Sequence, residues 1–191
     1  MRAVDRLSEL TRWIETRLNE SPLALEPASA DASFRRYFRV HTAGGPLIAM
    51  DAPPAHEDCR AFVRVARLMA AAGLNVPRVI AEDFARGFLL LSDLGSANYL
   101  PALNADTADA LFRDAIDALV RWQLASKPGV LPPYDETLLA RELRLFPEWY
   151  VARHRAVTLA PAQNQALEAV FALILENNLA QPAVYVHRDY M

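Results

Sequence analysis

The sequence predicts an α+β protein with two lobes, because two hydrophobic periodicities divide the 191-residue chain. Up to residue 91, helical spacing and strand alternation take turns in the order helix, strands, helix, strands. After residue 95 the apolar residues recur mainly at helical intervals. We therefore expect an N-terminal lobe over residues 1–91, with an antiparallel sheet and a helix, and a mainly helical C-terminal lobe over residues 92–191.

The N-terminal lobe is predicted from apolar spacing and from the turn residues between elements. Residues 34–40 alternate between two sets of side chains, which indicates a strand. Residues 43–46, Ala-Gly-Gly-Pro, predict the turn of a hairpin, and Gly73 is typical of a helix C-terminal cap. The predicted elements are a helix over 4–19, strands over 33–40 and 47–50, a helix over 57–72, and strands over 79–82 and 88–91.

The C-terminal lobe is predicted as helices separated by proline-rich breaks. Apolar residues at helical spacing mark a long helix over 107–125, and the prolines and glycine of 127–133 interrupt the chain. A helix with Leu138, Leu139, Leu143 and Phe146 follows, and then another over 161–176. The apolar residues 184–186 predict a buried final strand.

Composition excludes several classes of function. A chain with 53% hydrophobic and 23% charged residues is globular, and its net charge of −3 argues against a nucleic-acid partner. The single cysteine, Cys59, cannot form an internal disulfide, and no apolar run reaches the length of a membrane span. We expect a cytoplasmic protein with a small-molecule partner and no membrane partner, and we assign no role to Cys59 or His154.

The tripeptide His187-Arg188-Asp189 resembles the start of a kinase catalytic loop. In the pattern His-Arg-Asp-x-x-x-x-Asn, the Asp accepts the proton of the substrate hydroxyl and the Asn holds magnesium. The Asn would lie beyond Met191, so we expect a chain truncated in this loop, an incomplete second lobe, and no metal ligand within the chain. His187 and Arg188 are expected to brace the loop. The alternative is an ordinary aspartate that caps a turn.

Four segments together resemble a known group of enzymes. They are residues 31–39 (DASFRRYFR), 50–54 (MDAPP), 91–95 (LSDLG) and 186–191 (VHRDYM). The sequence is similar to the aminoglycoside-phosphotransferase superfamily, most closely to its N-acetylmuramate/N-acetylglucosamine kinases, the anomeric sugar kinases of bacterial cell-wall recycling. The resemblance implies a protein-kinase-like fold and transfer of phosphate from ATP, with Mg2+, to a sugar hydroxyl, with Asp189 as the catalytic base.

Residues 31–39 lie where kinases place a loop over the nucleotide phosphates. The segment lacks Gly-x-Gly-x-x-Gly, but the small residues Ala32 and Ser33 could bring backbone N–H groups near the ATP phosphates. The cations of Arg35, Arg36 and Arg39 suit phosphate oxygens, and Phe34 is also expected to contact ATP. Strand alternation places Arg35 and Arg39 opposite Arg36, so we expect one face to point toward the nucleotide and the other to be solvated. The alternative is a charged edge strand.

Met50 falls near the position where related kinases place a phosphate-binding lysine, and a thioether cannot replace that donor. A carboxylate of Glu57 or Asp58 could instead orient an arginine of the preceding hairpin. The alternative is that both acids merely complement the N-terminus of the next helix.

Two further groups complete the predicted site. The backbone of Leu91, Ser92 and Asp93 is expected to bind the adenine of ATP, although an ordinary strand end would look the same. A carboxylate and two aromatic rings are candidates for contacts with the sugar, with burial in the core as the alternative. These residues are Glu142, Trp149 and Tyr150.

Two other functions remain open at this point. One is a kinase for another small alcohol, such as an aminoglycoside, choline or homoserine. The second is a non-catalytic nucleotide-binding pseudokinase, which is made plausible by the missing lysine and by the absence of metal ligands from the given sequence. A downstream Asn five positions after Asp189, followed by an Asp-containing metal loop, would indicate the enzyme.

Overall fold

The computed structural model describes residues 3–30, 34–188 and 190. They contain five strands, six α-helices and one π-helical segment. The first part of the chain holds α1 (Ala3–Leu18), β1 (Ala24–Ala30), β2 (Arg36–Thr42), β3 (Gly45–Asp51), α2 (Cys59–Ala71), β4 (Val79–Asp83) and β5 (Phe88–Ser92). The second holds α3 (Tyr99–Ala102), α4 (Ala108–Leu124), α5 (Glu136–Leu145), the π-helix (Phe146–His154) and α6 (Pro161–Leu179).

The five strands form one antiparallel sheet in the order β1-β2-β3-β5-β4. The predicted α+β class and antiparallel sheet are therefore confirmed. In the register of the sheet, Tyr37 lies opposite Met50, and Ile48 lies between Arg39 and Leu91. These residues share one face, because side chains alternate along each strand.

Each face of the sheet is covered by one helix. On the α1 face, Leu10 and Ile14 are fully buried, and Trp13 packs near Phe88 with ring centroids 5.7 Å apart. On the α2 face, Val63 packs with Met50 and other strand residues. Full burial of a large apolar side chain contributes about 1.5–3 kcal/mol, so these clusters fix both helices on the sheet.

The cap residues of α2 follow from its sequence. Asp58 precedes the helix, and its carboxylate accepts a hydrogen bond from the Arg60 N–H at 3.0 Å. At the other end, Gly73 has a φ of +76° and follows the last turn. Glycine adopts this left-handed conformation without the penalty of a side chain, which confirms the predicted end of the helix.

Strand β1 was not expected from the sequence. Its composition, Ala-Leu-Glu-Pro-Ala-Ser-Ala, contains little that favours a strand, and Pro27 lacks an N–H for the ladder. The strand lies at the edge of the sheet, where one row of backbone groups needs no partner, and its pairing with β2 is irregular between Pro27 and Ser29. An edge position is where a proline is tolerated in a sheet.

The predicted final strand over 184–186 does not form. Val184 and Val186 are 39% and 46% exposed, whereas Tyr185 is buried. The Tyr185 N–H donates to the Ser126 Oγ at 2.7 Å instead of to a neighbouring strand. A strand requires a ladder partner, and among the described residues none pairs with this segment.

The chain divides into two compact units, Met1–Trp122 and Gln123–Met191. The first contains the sheet with α1 and α2, and the second contains α5, the π-helix and α6. The predicted lobe boundary between residues 91 and 92 stays a prediction. No helix in the described part of the chain is long and apolar enough to cross a membrane.

Candidate functional site

Arg35 lies just before β2 and is held by an acidic residue from the segment before α2. Its Nε is 3.3 Å from Oε2 of Glu57, and the hydroxyl of Tyr37 is a second hydrogen-bond partner. Tyr37 packs against the cluster on the α2 face, the face that also contains Met50. The structure therefore brings an arginine–glutamate pair to the end of the sheet where Met50 stands in place of the lysine of related kinases.

The two acids before α2 have different roles. Glu57 takes the arginine, whereas Asp58 caps the helix. Both interpretations considered from the sequence thus occur, each at one of the two positions. Glu57 has a side chain only 19% exposed, which makes its contact with Arg35 stronger than an ion pair in open solvent.

Arg36 lies on the opposite face and binds Asp51, which is fully buried. Nε of Arg36 is 3.1 Å from Oδ2 of Asp51, and its Nη2 contacts the same oxygen. Arg6 of α1 contacts the other carboxylate oxygen through Nε, at 3.1 Å, and through Nη2. We expected one of the two arginine faces to be solvated, but each of the three arginines binds a carboxylate. For Arg36 the partner is its cross-strand neighbour, this buried acid.

Arg39 lies at the other end of β2 and binds the segment that follows β5. Its Nε is 2.6 Å from Oδ2 of Asp93, its Nη2 is 3.3 Å from Oδ1, and the N–H of Gly95 donates to Oδ1 at 2.8 Å. The hydrogen bond from Arg39 lowers the pKa of the Asp93 carboxyl below its ordinary value. These contacts fix the start of the 93–95 turn against β2.

The predicted adenine segment, Leu91 to Asp93, is the end of β5 and the residue after it. Leu91 is buried on the α2 face. The N–H of Ser92 donates to the Arg78 oxygen at 2.9 Å, and the Ser92 Oγ accepts from the Arg78 N–H at 2.8 Å. Ser92 therefore holds the segment to β4, and the side chain of Asp93 holds it to β2.

Phe34 is 62% exposed, and its ring stacks on His56 with centroids 4.4 Å apart. The contact joins the segment before β2 to the segment before α2, beside the pair of Arg35 and Glu57. Ser33 lies outside the described residues, so its predicted contact with phosphate stays a prediction.

Glu142 of α5 contacts two side chains of the second unit. Its Oε2 accepts a hydrogen bond from the Tyr134 hydroxyl, and its Oε1 is bound by Nη2 of Arg188. The Cζ atom of Arg188 also lies 5.3 Å from the centroid of the Tyr134 ring. The structure thus connects the carboxylate predicted to bind sugar to the residue that precedes Asp189 in the sequence.

Trp149 and Tyr150 lie in the π-helix, at 53% and 51% exposure, and are not core residues of the described chain. The rings of Phe146 and His154 stack with Tyr150 at 5.5 and 5.6 Å. The Cζ atom of the Arg153 guanidinium lies 3.9 Å from the centroid of the Trp149 ring. The π-helix was not expected from the sequence, because its pattern of apolar residues does not differ from that of an α-helix end.

Asp189 lies outside the described residues, and its catalytic role stays a prediction. Among residues 3–30, 34–188 and 190, no group of three or more His, Cys, Asp and Glu side chains could hold a metal ion. Cys59 is buried, and desolvation raises the pKa of its thiol, as expected for a packing residue rather than a nucleophile.

Sequence reasoning missed Asp51, Arg6 and Tyr134. For Asp51 a signal was present, since a charged residue directly after the apolar strand Leu-Ile-Ala-Met indicates a buried carboxylate with a partner. For Arg6 and Tyr134 nothing in the local sequence distinguishes them from other surface residues of their type.

The chain is similar to known sequences along nearly all of its length. Residues 24–191 match the sequence model of the phosphotransferase enzyme family, APH. The chain is 50% identical over 196 aligned residues to the N-acetylmuramate/N-acetylglucosamine kinase of Pseudomonas putida, with 97% of this chain covered. It is 48% identical, with 97% covered, to the kinase of the same name in Pseudomonas aeruginosa.

A third relative with that name, from Neisseria meningitidis serogroup B, is 40% identical over 98% of this chain. The chain spans 58% of the length of each Pseudomonas protein and 57% of the Neisseria protein. The comparison therefore covers nearly all of this chain and somewhat more than half of these relatives.

Proposed function

The chain belongs to the phosphotransferase enzyme family, and from this premise we propose that the protein is an ATP-dependent kinase for the sugars N-acetylmuramate and N-acetylglucosamine. The observation that carries the proposal is the 50% identity, over 97% of this chain, to a Pseudomonas putida enzyme named for both sugars. The ion pairs along the sheet and the sequence His187-Arg188-Asp189 support it.

In the proposed reaction a hydroxyl oxygen of the sugar attacks the γ-phosphorus of ATP, the bond to the bridging oxygen breaks, and ADP leaves. Asp189 accepts the proton of that hydroxyl and later releases it to solvent. Most of the rate comes from positioning the two substrates and stabilising charge on the transferred group.

Arg35 is the best candidate for the cation that Met50 cannot supply. Its contact with Glu57 is analogous to a lysine–glutamate pair, since the acid from the α2 side orients a cation on the same face of the sheet. The guanidinium carries five donors in a planar fork, a geometry that suits phosphate oxygens. We assign the γ- and β-phosphates to the surroundings of Arg35 and Phe34.

Arg39 has a different proposed role. It lies four positions after Arg35, a separation of about 13 Å along an extended chain, and its guanidinium binds Asp93. We propose that Arg39 and Asp93 shape the segment of Leu91 and Ser92 against which the adenine binds, rather than contacting phosphate. Arg36 is proposed to hold the base of the phosphate segment through Asp51.

For the sugar we propose contact with Trp149, because a half-exposed indole offers an apolar face for a pyranose ring. Tyr150 contributes its hydroxyl rather than its ring faces, which Phe146 and His154 contact. Magnesium accompanies ATP in this class of reaction. The described residues do not form a cage for it, so we assign no metal ligand and derive no step through the metal.

The test is an assay of the full-length protein with ATP and each sugar, measuring ADP by a coupled reaction and the phosphosugar by mass spectrometry. We expect turnover with N-acetylmuramate and N-acetylglucosamine, and little with choline, homoserine or kanamycin. Asp189→Asn should lower kcat by at least about 100-fold and leave ATP affinity unchanged. ATP binding without turnover of any of the five compounds would contradict the proposal in favour of a pseudokinase.

A further inference from the structure

Glu142 and Tyr134 form a cradle for the side chain of Arg188. The Glu142 carboxylate uses one oxygen for the Tyr134 hydroxyl and the other for the Arg188 guanidinium, and that guanidinium also lies over the Tyr134 ring. Each member therefore contacts the other two. The Glu142 side chain is 33% exposed, so the ion pair is partly shielded from solvent.

The backbone at Arg188 is strained. Its φ is +73°, in the left-handed region that non-glycine residues rarely adopt, because Cβ approaches the carbonyl oxygen there. Such a conformation persists only where surrounding contacts determine it. The cradle supplies them, with a charge-assisted hydrogen bond and a cation–π contact on one side chain.

A second contact joins two residues on either side of Arg188 in the sequence. The rings of His187 and Tyr190 meet edge to face, with centroids 5.1 Å apart. The left-handed residue Arg188 lies between these two ring-bearing positions in the sequence. The backbone dihedrals of Arg188 set the direction in which the chain leaves this residue, and Asp189 is the next residue in the sequence.

We propose that Glu142, with Tyr134, is a positioning residue that holds Arg188 in its left-handed conformation and so orients the catalytic loop at Asp189. Glu142 then acts on the reaction through Arg188, not by touching the sugar. The inference rests on the proposed function, since it takes Asp189 as the base.

The first test is Glu142→Gln in the full-length protein, which keeps the shape of the side chain and removes its charge. We expect kcat to fall at least about tenfold, with the KM values for ATP and for the sugar within about twofold of wild type. Glu168→Gln is the matched control, because Glu168 forms an exposed pair with Arg144 of α5 at 3.5 Å. It should leave all three constants unchanged.

Arg188→Gly separates a backbone role from a packing role. Glycine adopts the left-handed conformation without strain, so the cradle has nothing to hold in this variant. We expect Arg188→Gly to lower kcat, and Glu142→Gln to cause less than about a twofold further loss when added to it. Independent, multiplying losses would overturn the proposal, as would a raised KM for sugar with unchanged kcat in Glu142→Gln.

The titration of Tyr134 tests the cradle independently of activity. The hydrogen bond from its hydroxyl to Glu142 raises the pKa of the Tyr134 phenol, and Glu142→Gln should return that pKa toward its ordinary value. The difference spectrum of Tyr134→Phe identifies the signal, and an unshifted titration in Glu142→Gln would overturn the cradle. Full turnover by Asp189→Asn would instead refute the base assignment of the proposed function, whatever the Tyr134 titration shows.

Discussion

Replacing Asp51 by Asn should destabilise the first unit more than the loss of a surface ion pair does. Asp51 is fully buried and binds Arg6 and Arg36, whose side chains are 14% and 37% exposed. The amide keeps the shape but removes the charge and points N–H donors at a guanidinium. Breaking a buried ion pair by removing one partner costs about 3–5 kcal/mol. Because Arg36 retains access to water, we expect Asp51→Asn to lower the free energy of unfolding by about 3 kcal/mol, the lower end of this range.

The loss should be largest where Asp51 joins separate elements. Nη2 of Arg6 also donates to the Arg86 oxygen at 2.8 Å, so the carboxylate connects α1, the end of β3 and the turn between β4 and β5. Native-state hydrogen exchange, resolved by peptide mass spectrometry, measures the free energy of opening for each element. A loss of about 3 kcal/mol corresponds to exchange on the order of 100-fold faster in α1 and β3.

The matched control is Glu82→Gln, because Glu82 forms a more exposed ion pair with Arg67 at 2.8 Å. An exposed pair contributes about 0–1 kcal/mol, or roughly fivefold in exchange at most. If Asp51→Asn accelerates exchange no more than this control does, the buried acid is not what holds α1 to the sheet.

Three further predictions concern the turn after β4, the acid stability of the sheet and the use of ATP. A Cβ atom added at Gly87, where φ is +72°, would lie 1.9 Å from the Ala52 oxygen, whereas Gly129 has the same φ and open space around it. Gly87→Ala should therefore lower the free energy of unfolding by at least about 2 kcal/mol more than Gly129→Ala does. Equal losses for the two variants in urea titrations would contradict the clash. Because the pKa of Asp93 is lowered in the folded protein, its carboxylate stabilises the fold at pH values above the pKa of the unfolded chain. The difference in free energy of unfolding between wild type and Asp93→Asn should therefore shrink as the pH falls below about 3.9. A difference that stays constant from about pH 2 to 7 would refute this linkage. Arg35→Ala should lower kcat/KM for ATP roughly 30-fold, which corresponds to about 2 kcal/mol of lost transition-state binding. Arg67→Ala, a change at an exposed arginine, should leave kcat/KM unchanged. Equal values for the two variants would remove Arg35 from the phosphate site.

The sequence was sufficient for the elements whose own periodicity is strong. Residues 4–19 and 57–72 predicted α1 and α2, and the alternation over 34–40 predicted β2 with its two faces. Where local preference is weak, prediction failed in both directions. Strand β1 forms around Pro27 because an edge accepts it, whereas 184–186 stays irregular despite its apolar residues, since no described strand pairs with it.

For the site, the sequence by itself determined the chemical groups, namely the arginines of 35–39, the acids before α2 and the tripeptide that ends in Asp189. It also determined which face of β2 each arginine occupies, because alternation is a local property. The partners were decided only by tertiary structure: Glu57 for Arg35, Asp51 for Arg36 and Asp93 for Arg39. These acids lie 15 to 54 positions away in the chain. The physical reason is that these contacts depend on tertiary packing. Strand β5 lies between β3 and β4, and α1 and α2 pack on the sheet, because apolar surface from the whole unit is buried together. No local sequence pattern encodes that burial.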